Sequence, residues 1–211
     1  MPLSQPVNRR HIHTRQIDLR GYEREDGLWD IEAHLTDVKT YPIENRWRGQ
    51  IDPGTPIHDM WIRLTIDIGF EIKTIEAVMD HTPYSICGDV AINFQRLVGL
   101  KIAPGWTKAI RQRVGGVHGC THLVEMMRPL GTVAFQTLYP ALERRRREAN
   151  DRVAAMADTE PMARTGTNDT APAALPPRPA PKPPAHLNTC HALAADGEVV
   201  RQHYPEWYTG G

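Results

Sequence analysis

The spacing of apolar residues changes once along this chain, near Cys87, and that change orders its architecture. Before Cys87 the apolar positions mostly recur at every second residue, the period of a half-buried strand; after it they recur every three or four, the period of a helix face. Strands first and helices afterwards describe an α+β protein: an antiparallel sheet of two hairpins, followed by about three helices packed on one face.

The segments can be placed from their punctuation. Residues 11–20 alternate as a strand, Asp26-Gly27 marks a turn, and Leu28 to Leu35 forms the returning strand. Thr40 to Pro56 carries Pro42, Pro53 and Gly54 and reads as a connection. Ile57 to Ile68 and a segment holding Ile72, Ile75 and Val78 make a second hairpin about Gly69. Val90, Phe94, Leu97 and Val98 then share one helical face that ends near Gly99. Pro104 to Val114 is a short helix stopped by Gly115-Gly116, and a third helix starts near Thr121 and runs through Leu138.

Past Asp158 the composition shifts to Pro, Ala and Thr, which cannot bury enough apolar area to offset the entropy of ordering. The expected organisation is a core over residues 1–155, a Pro/Ala-rich linker over 156–185 and a tail over 186–211. Tyr204, Trp207 and Tyr208 are costly to leave in water, so the tail is expected to dock on the core.

Charge narrows the partners. The formal net charge is +0, and the cluster Arg144 to Arg147 lies beside Glu143 and Glu148, so no basic field for nucleic acid is present. Three widely spaced cysteines imply no disulfide framework. With neither a signal-like apolar region nor an apolar run of about 18 residues, the expectation is a soluble cytoplasmic protein without a membrane partner. A homo-oligomer is compatible with this composition.

The chemistry concentrates in a few places. His118-Gly119-Cys120-Thr121-His122 follows a glycine pair and opens the third helix, where the helix dipole favours a thiolate. Cys87-Gly88 opens the first helix in the same way. Cys87, His118 and Cys120 are therefore candidate ligands for zinc or iron, although no CxxC pair is present. His58 and Asp59 are adjacent on a strand, so only one can face a site between sheet and helices, and histidine is better suited to ligate or shuttle protons. Arg24 lies among Asp26, Trp29 and Asp30, where it either pins the turn or holds an anionic substrate. No phosphate loop, GxSxG elbow, HExxH or dinucleotide fingerprint is present.

Arg24-x-Asp26-Gly27-Leu28-Trp29-Asp30, Pro56-Ile57-His58-Asp59-Met60, Cys87 and Gly119-Cys120-Thr121-His122-Leu123 resemble a bacterial family catalogued as a domain of unknown function. The resemblance spans about residues 9–140, and Asn188-Thr189-Cys190-His191 with Tyr204-Pro205-Glu206 is similar to it too. It implies a carbon–carbon lyase that releases formaldehyde from a hydroxymethyl group of a lignin-derived phenolic dimer, giving a stilbene-type product without an organic cofactor. Under that reading His58 or His122 is the base, Asp59 is an alternative base or orienting group, and Arg24 steadies the phenolate. Trp61, Cys190, His191 and Tyr204 would contact the small aromatic substrate, with the tail as a lid.

A second resemblance is to iron-sulfur scaffolds of the NifU and IscU type, in the order of strands, Cys-Gly, short helix and His-Cys turn. Here a strand cysteine is lacking and Gly119 separates His118 from Cys120. That resemblance implies the alternative function, a metal-binding or cluster-carrying protein without catalysis.

Overall fold

In the computed structural model the described residues are 3–157, 183–184, 187–188 and 194–211. The chain divides into two units, residues 1–161 and 162–211. The expected linker falls largely outside the described residues, as do Cys190 and His191.

The first unit is the expected α+β arrangement. β1 (His13–Glu23), β2 (Trp29–Lys39), β5 (Pro56–Ile66) and β6 (Ile72–His81) form one antiparallel sheet in the order β1-β2-β5-β6. The connection from residue 40 to 56 is more structured than its prolines suggested. It holds a small second sheet, β3 (Ile43–Asn45) and β4 (Gly49–Ile51). Its turn forms because the Asn45 Oδ1 accepts from the Trp47 and Arg48 amides, both at 2.9 Å, and Gly49 takes a φ of 69°. In the β5–β6 turn the left-handed residue is Phe70, at φ 65°, rather than the adjacent Gly69. Asp67 Oδ1 stabilises that turn by accepting from the Gly69 and Glu71 amides.

Alternation decides which face is covered. Trp29, Ile31, Ala33 and Leu35 of β2 are buried, as are Met60, Ile62, Leu64 and Ile66 of β5. Against them lies α2 (Thr121–Ala157), which buries Leu123, Met126, Met127, Leu130, Ala134 and Leu138 at helical spacing. Close approach of α2 to β1 requires Gly21, because a Cβ there would overlap the Thr137 side chain. Pro129 and Pro140 lie within α2, so the carbonyls of Glu125 and Gln136 lose their usual helical donors.

The segment expected as the first helix, Cys87–Leu97, is a run of 3₁₀ turns. Three residues per turn align Phe94 with Leu97, and both are buried, whereas Val98 is exposed. α1 (Trp106–Val114) follows and is tied to α2 by the Trp106 indole, which donates to the Met127 carbonyl at 2.9 Å.

In the second unit, α3 (Glu198–His203) precedes a 3₁₀ turn at Pro205–Trp207, and the Thr209 amide donates to the Ala195 carbonyl at 2.9 Å. Among the described residues no helix is long and apolar enough to cross a membrane.

Candidate functional site

The covered face of the sheet turns polar at one end. β2 continues its inward alternation beyond Leu35, so the next inward position is Asp37, which is 2 % exposed. Across the ladder Arg15 of β1 stands opposite Asp37, and Asp37 stands opposite His58 of β5. Arg15, Asp37 and His58 are thus one cross-strand row, continuing the rows of core residues to the sheet's end. The register of β2 with β5 shifts just after Asp37, an irregularity that re-aims side chains.

Asp37 is fully engaged. Its Oδ1 accepts from His13 Nε2 and Arg15 Nε, both at 2.9 Å. Its Oδ2 accepts from Arg15 Nη2 at 2.7 Å and His58 Nδ1 at 2.9 Å. Four donors on two carboxylate oxygens meet its accepting capacity. Burial pushes the carboxyl up, but the hydrogen bonds from Arg15 and His13 and the charges of Arg15 and His58 outweigh it and hold the pKa at about 2. An ionised carboxylate can only accept, so the His58 proton sits on Nδ1 and the lone pair on Nε2.

The helix supplies the rest. Gly119 meets the Val114 carbonyl so closely that a Cβ would collide with it, and from there the chain enters α2 with His122 in its first turn. The His122 ring lies 3.8 Å from that of His58, centroid to centroid. Burial lowers the pKa of both rings; the charge of His122 adds to the effect on His58, and that of Arg15 to the effect on His122. Both are therefore neutral, proton-accepting imidazoles near pH 7. Cys120 Sγ is 3.7 Å from His122 Nδ1, and Glu125 Oε2 accepts from Arg15 Nη1 at 2.5 Å. Asp37, His58 and His122 each offer one donor atom within 4.8 Å of the others.

The remaining sequence candidates lie elsewhere. Asp59 faces the opposite side of the sheet, where its Oδ1 accepts from His34 Nε2 at 2.7 Å. Trp61 is on that same outer face, stacked on His34 with ring centroids 3.6 Å apart. Arg24 pins the first hairpin through Asp26 and Asp30, just past the far end of β1, roughly 30 Å from Arg15 by strand rise. Cys87 is half-buried at the start of its 3₁₀ segment, and His118 is exposed, its carbonyl accepting from Asn93. Among the described residues, Cys87, His118 and Cys120 do not form a group of donors close enough to share an ion. Tyr204 belongs to the second unit.

His13, Arg15, Asp37 and Glu125 complete the cluster without having been singled out in the sequence. The signal for Asp37 is its parity: it is two residues past Leu35 in an inward alternation that the sequence reading ended there.

Comparison with known proteins places a family described as a protein of unknown function (DUF2889) over residues 13–136, more than half of the chain. No curated protein matches the chain, and no solved structure does.

Proposed function

Since the chain belongs to the DUF2889 family, whose description names no activity, we propose from its own residues that it is a proton-transfer enzyme, a lyase that releases formaldehyde from a hydroxymethyl group of a lignin-derived phenolic dimer. The observation that carries this is the Asp37–His58 hydrogen bond of 2.9 Å, which leaves His58 Nε2 free as a base beside a second neutral imidazole. The proton-transfer half rests on that geometry; the substrate half rests on the motif resemblance in the sequence.

The reaction balances with these groups and one water molecule. A para-phenolate pushes electrons to the benzylic carbon, whose C–O bond breaks to leave a quinone methide, and a water molecule protonates the departing oxygen and becomes hydroxide. His58 Nε2 takes the proton from the hydroxymethyl oxygen. The O–H electron pair becomes the carbonyl of formaldehyde, and the broken C–C pair becomes the new C=C of the stilbene. The ring regains its aromaticity as phenolate, and the proton on His58 passes by way of the neutral His122 ring, 3.8 Å away, to the hydroxide left by that water. Asp37 stabilises the His58 imidazolium while it exists, and Arg15 and His13 keep Asp37 ionised to do so.

A second reading, a metal-holding carrier, is favoured by the three donors of Asp37, His58 and His122 within 4.8 Å. Arg15 weighs against it: its guanidinium occupies both oxygens of Asp37 and places a positive charge where a dication would sit.

The test is to incubate the purified chain with phenolic dimers bearing a hydroxymethyl group and to assay formaldehyde and stilbene together. Equal amounts of both are expected. No formaldehyde across a representative panel, with stoichiometric zinc or iron in the purified protein, would transfer the case to the carrier.

A further inference from the structure

Beside the polar cluster, α1 and α2 enclose a cleft of about 570 Å³, within the range of small-molecule sites. We infer that this cleft binds the carboxylate end of an aromatic acid, with Arg111 and Arg128 as the groups that hold the anion.

The two helices contribute complementary halves. Ile110 and Val114 of α1 and Val124 of α2 give the cleft an apolar wall suited to an aromatic ring. Arg111 from α1 and Arg128 from α2 also line it. Arg15 and Arg63 are held by carboxylates, but among the described residues neither Arg111 nor Arg128 makes an ion pair or a side-chain hydrogen bond. Guanidinium forks left open at a concave, partly apolar surface match a planar carboxylate. Glu125 also lines the cleft wall, but its single charge, one oxygen of which accepts from Arg15, offsets at most one of the two arginines.

The cleft also borders the proton-transfer groups. Cys120 lines it while its Sγ lies 3.7 Å from His122 Nδ1, and Glu125 lines it while bonded to Arg15. A ligand held by Arg128, about 9 Å of helix rise along α2 from His122, can extend along the cleft towards Cys120, whose Sγ lies beside that histidine. This inference rests on the lyase reading for its consequence, that the preferred phenolic dimer carries a carboxylate.

The experiment is calorimetric titration of the full chain with 4-hydroxycinnamate and with its methyl ester. The acid is expected to bind, and the ester to bind at least about tenfold more weakly. Arg111→Gln and Arg128→Gln should each weaken the acid about tenfold and leave the ester unchanged, while Arg144→Gln, whose side chain is paired with Glu23, should change neither. No binding of the acid, equal binding of acid and ester, or variants that bind like wild type would overturn the inference. Formaldehyde assays on dimers with and without a carboxylate separate the two proposals. Release indifferent to the carboxylate would overturn the inference and leave the lyase standing. Arginine-dependent binding of the acid, with no formaldehyde from any dimer, would do the reverse.

Discussion

Asp37 does two jobs, and both make its replacement costly. It is a buried anion that compensates Arg15, and it fixes the tautomer of His58. Asp37→Asn removes the charge but leaves the guanidinium facing a neutral amide, so unfolding in urea at pH 7 should show a loss of about 3 kcal/mol. The pH dependence has a definite sign. With its pKa near 2 against a usual 3.8, Asp37 contributes stability that is present above about pH 4 and lost as pH falls towards 2. The two histidines, lowered from 6.5, act in the same direction at higher pH. Below 6.5 the unfolded chain takes up protons that the folded rings resist, so stability begins to fall there. Wild type should lose stability in two steps on acidification, and the lower one should be smaller in Asp37→Asn, where Asp26 and Asp67, also held low by their partners, still contribute; an unchanged lower step would contradict this assignment. The sequence offered His58 and Asp59 as alternatives, because a strand turns only one of two neighbours inward, and the register with β2 settles which: His58 meets Asp37 and Asp59 meets His34. Asp37 was not legible there, since an aspartate after four alternating apolar residues looks like a strand end until its partners across the sheet are known.

At the scale of elements, the fold depends on how near α2 comes to β1. Gly21 permits that approach, and Gly21→Ala would drive a methyl group into Thr137. We expect a loss of about 1–3 kcal/mol, part of which Thr137→Ala should restore, as a double-mutant cycle of thermal or urea unfolding would show. Additive effects would mean that the helix and strand do not meet there. The 3₁₀ segment is held chiefly by Phe94 and Leu97, so Phe94→Ala should cost about 3–5 kcal/mol. The strands and two of the helices could be read from period and turn chemistry. The 3₁₀ run could not, because Phe94 and Leu97 fit both a 3.0 and a 3.6 repeat over so short a span. The small β3–β4 sheet was hidden for a similar reason: three-residue strands are too short to show alternation, and their pairing depends on the Asn45 side chain.

At the scale of the whole molecule, the one large cluster of buried apolar residues among those described lies within the first unit, between Ile17 and Leu142. A chain ending at residue 157 should therefore unfold cooperatively, with a midpoint within a few degrees of the full chain's, as followed by circular dichroism; a non-cooperative transition would show that the second unit is part of the fold. The sheet presents a histidine and an aspartate on each of its faces, and the proposed chemistry belongs to the covered one. On that face His58 is held by Asp37, and on the other His34 is held by Asp59. The decisive measurement compares formaldehyde release by wild type, His58→Gln and His34→Gln on one hydroxymethyl-bearing phenolic dimer, with folding of each variant verified by its melting curve. His58→Gln should lose about 10²-fold or more in kcat, while His34→Gln stays within about twofold of wild type. Full activity in His58→Gln, or a loss confined to His34→Gln, would contradict the assignment of the site to the helix-covered face.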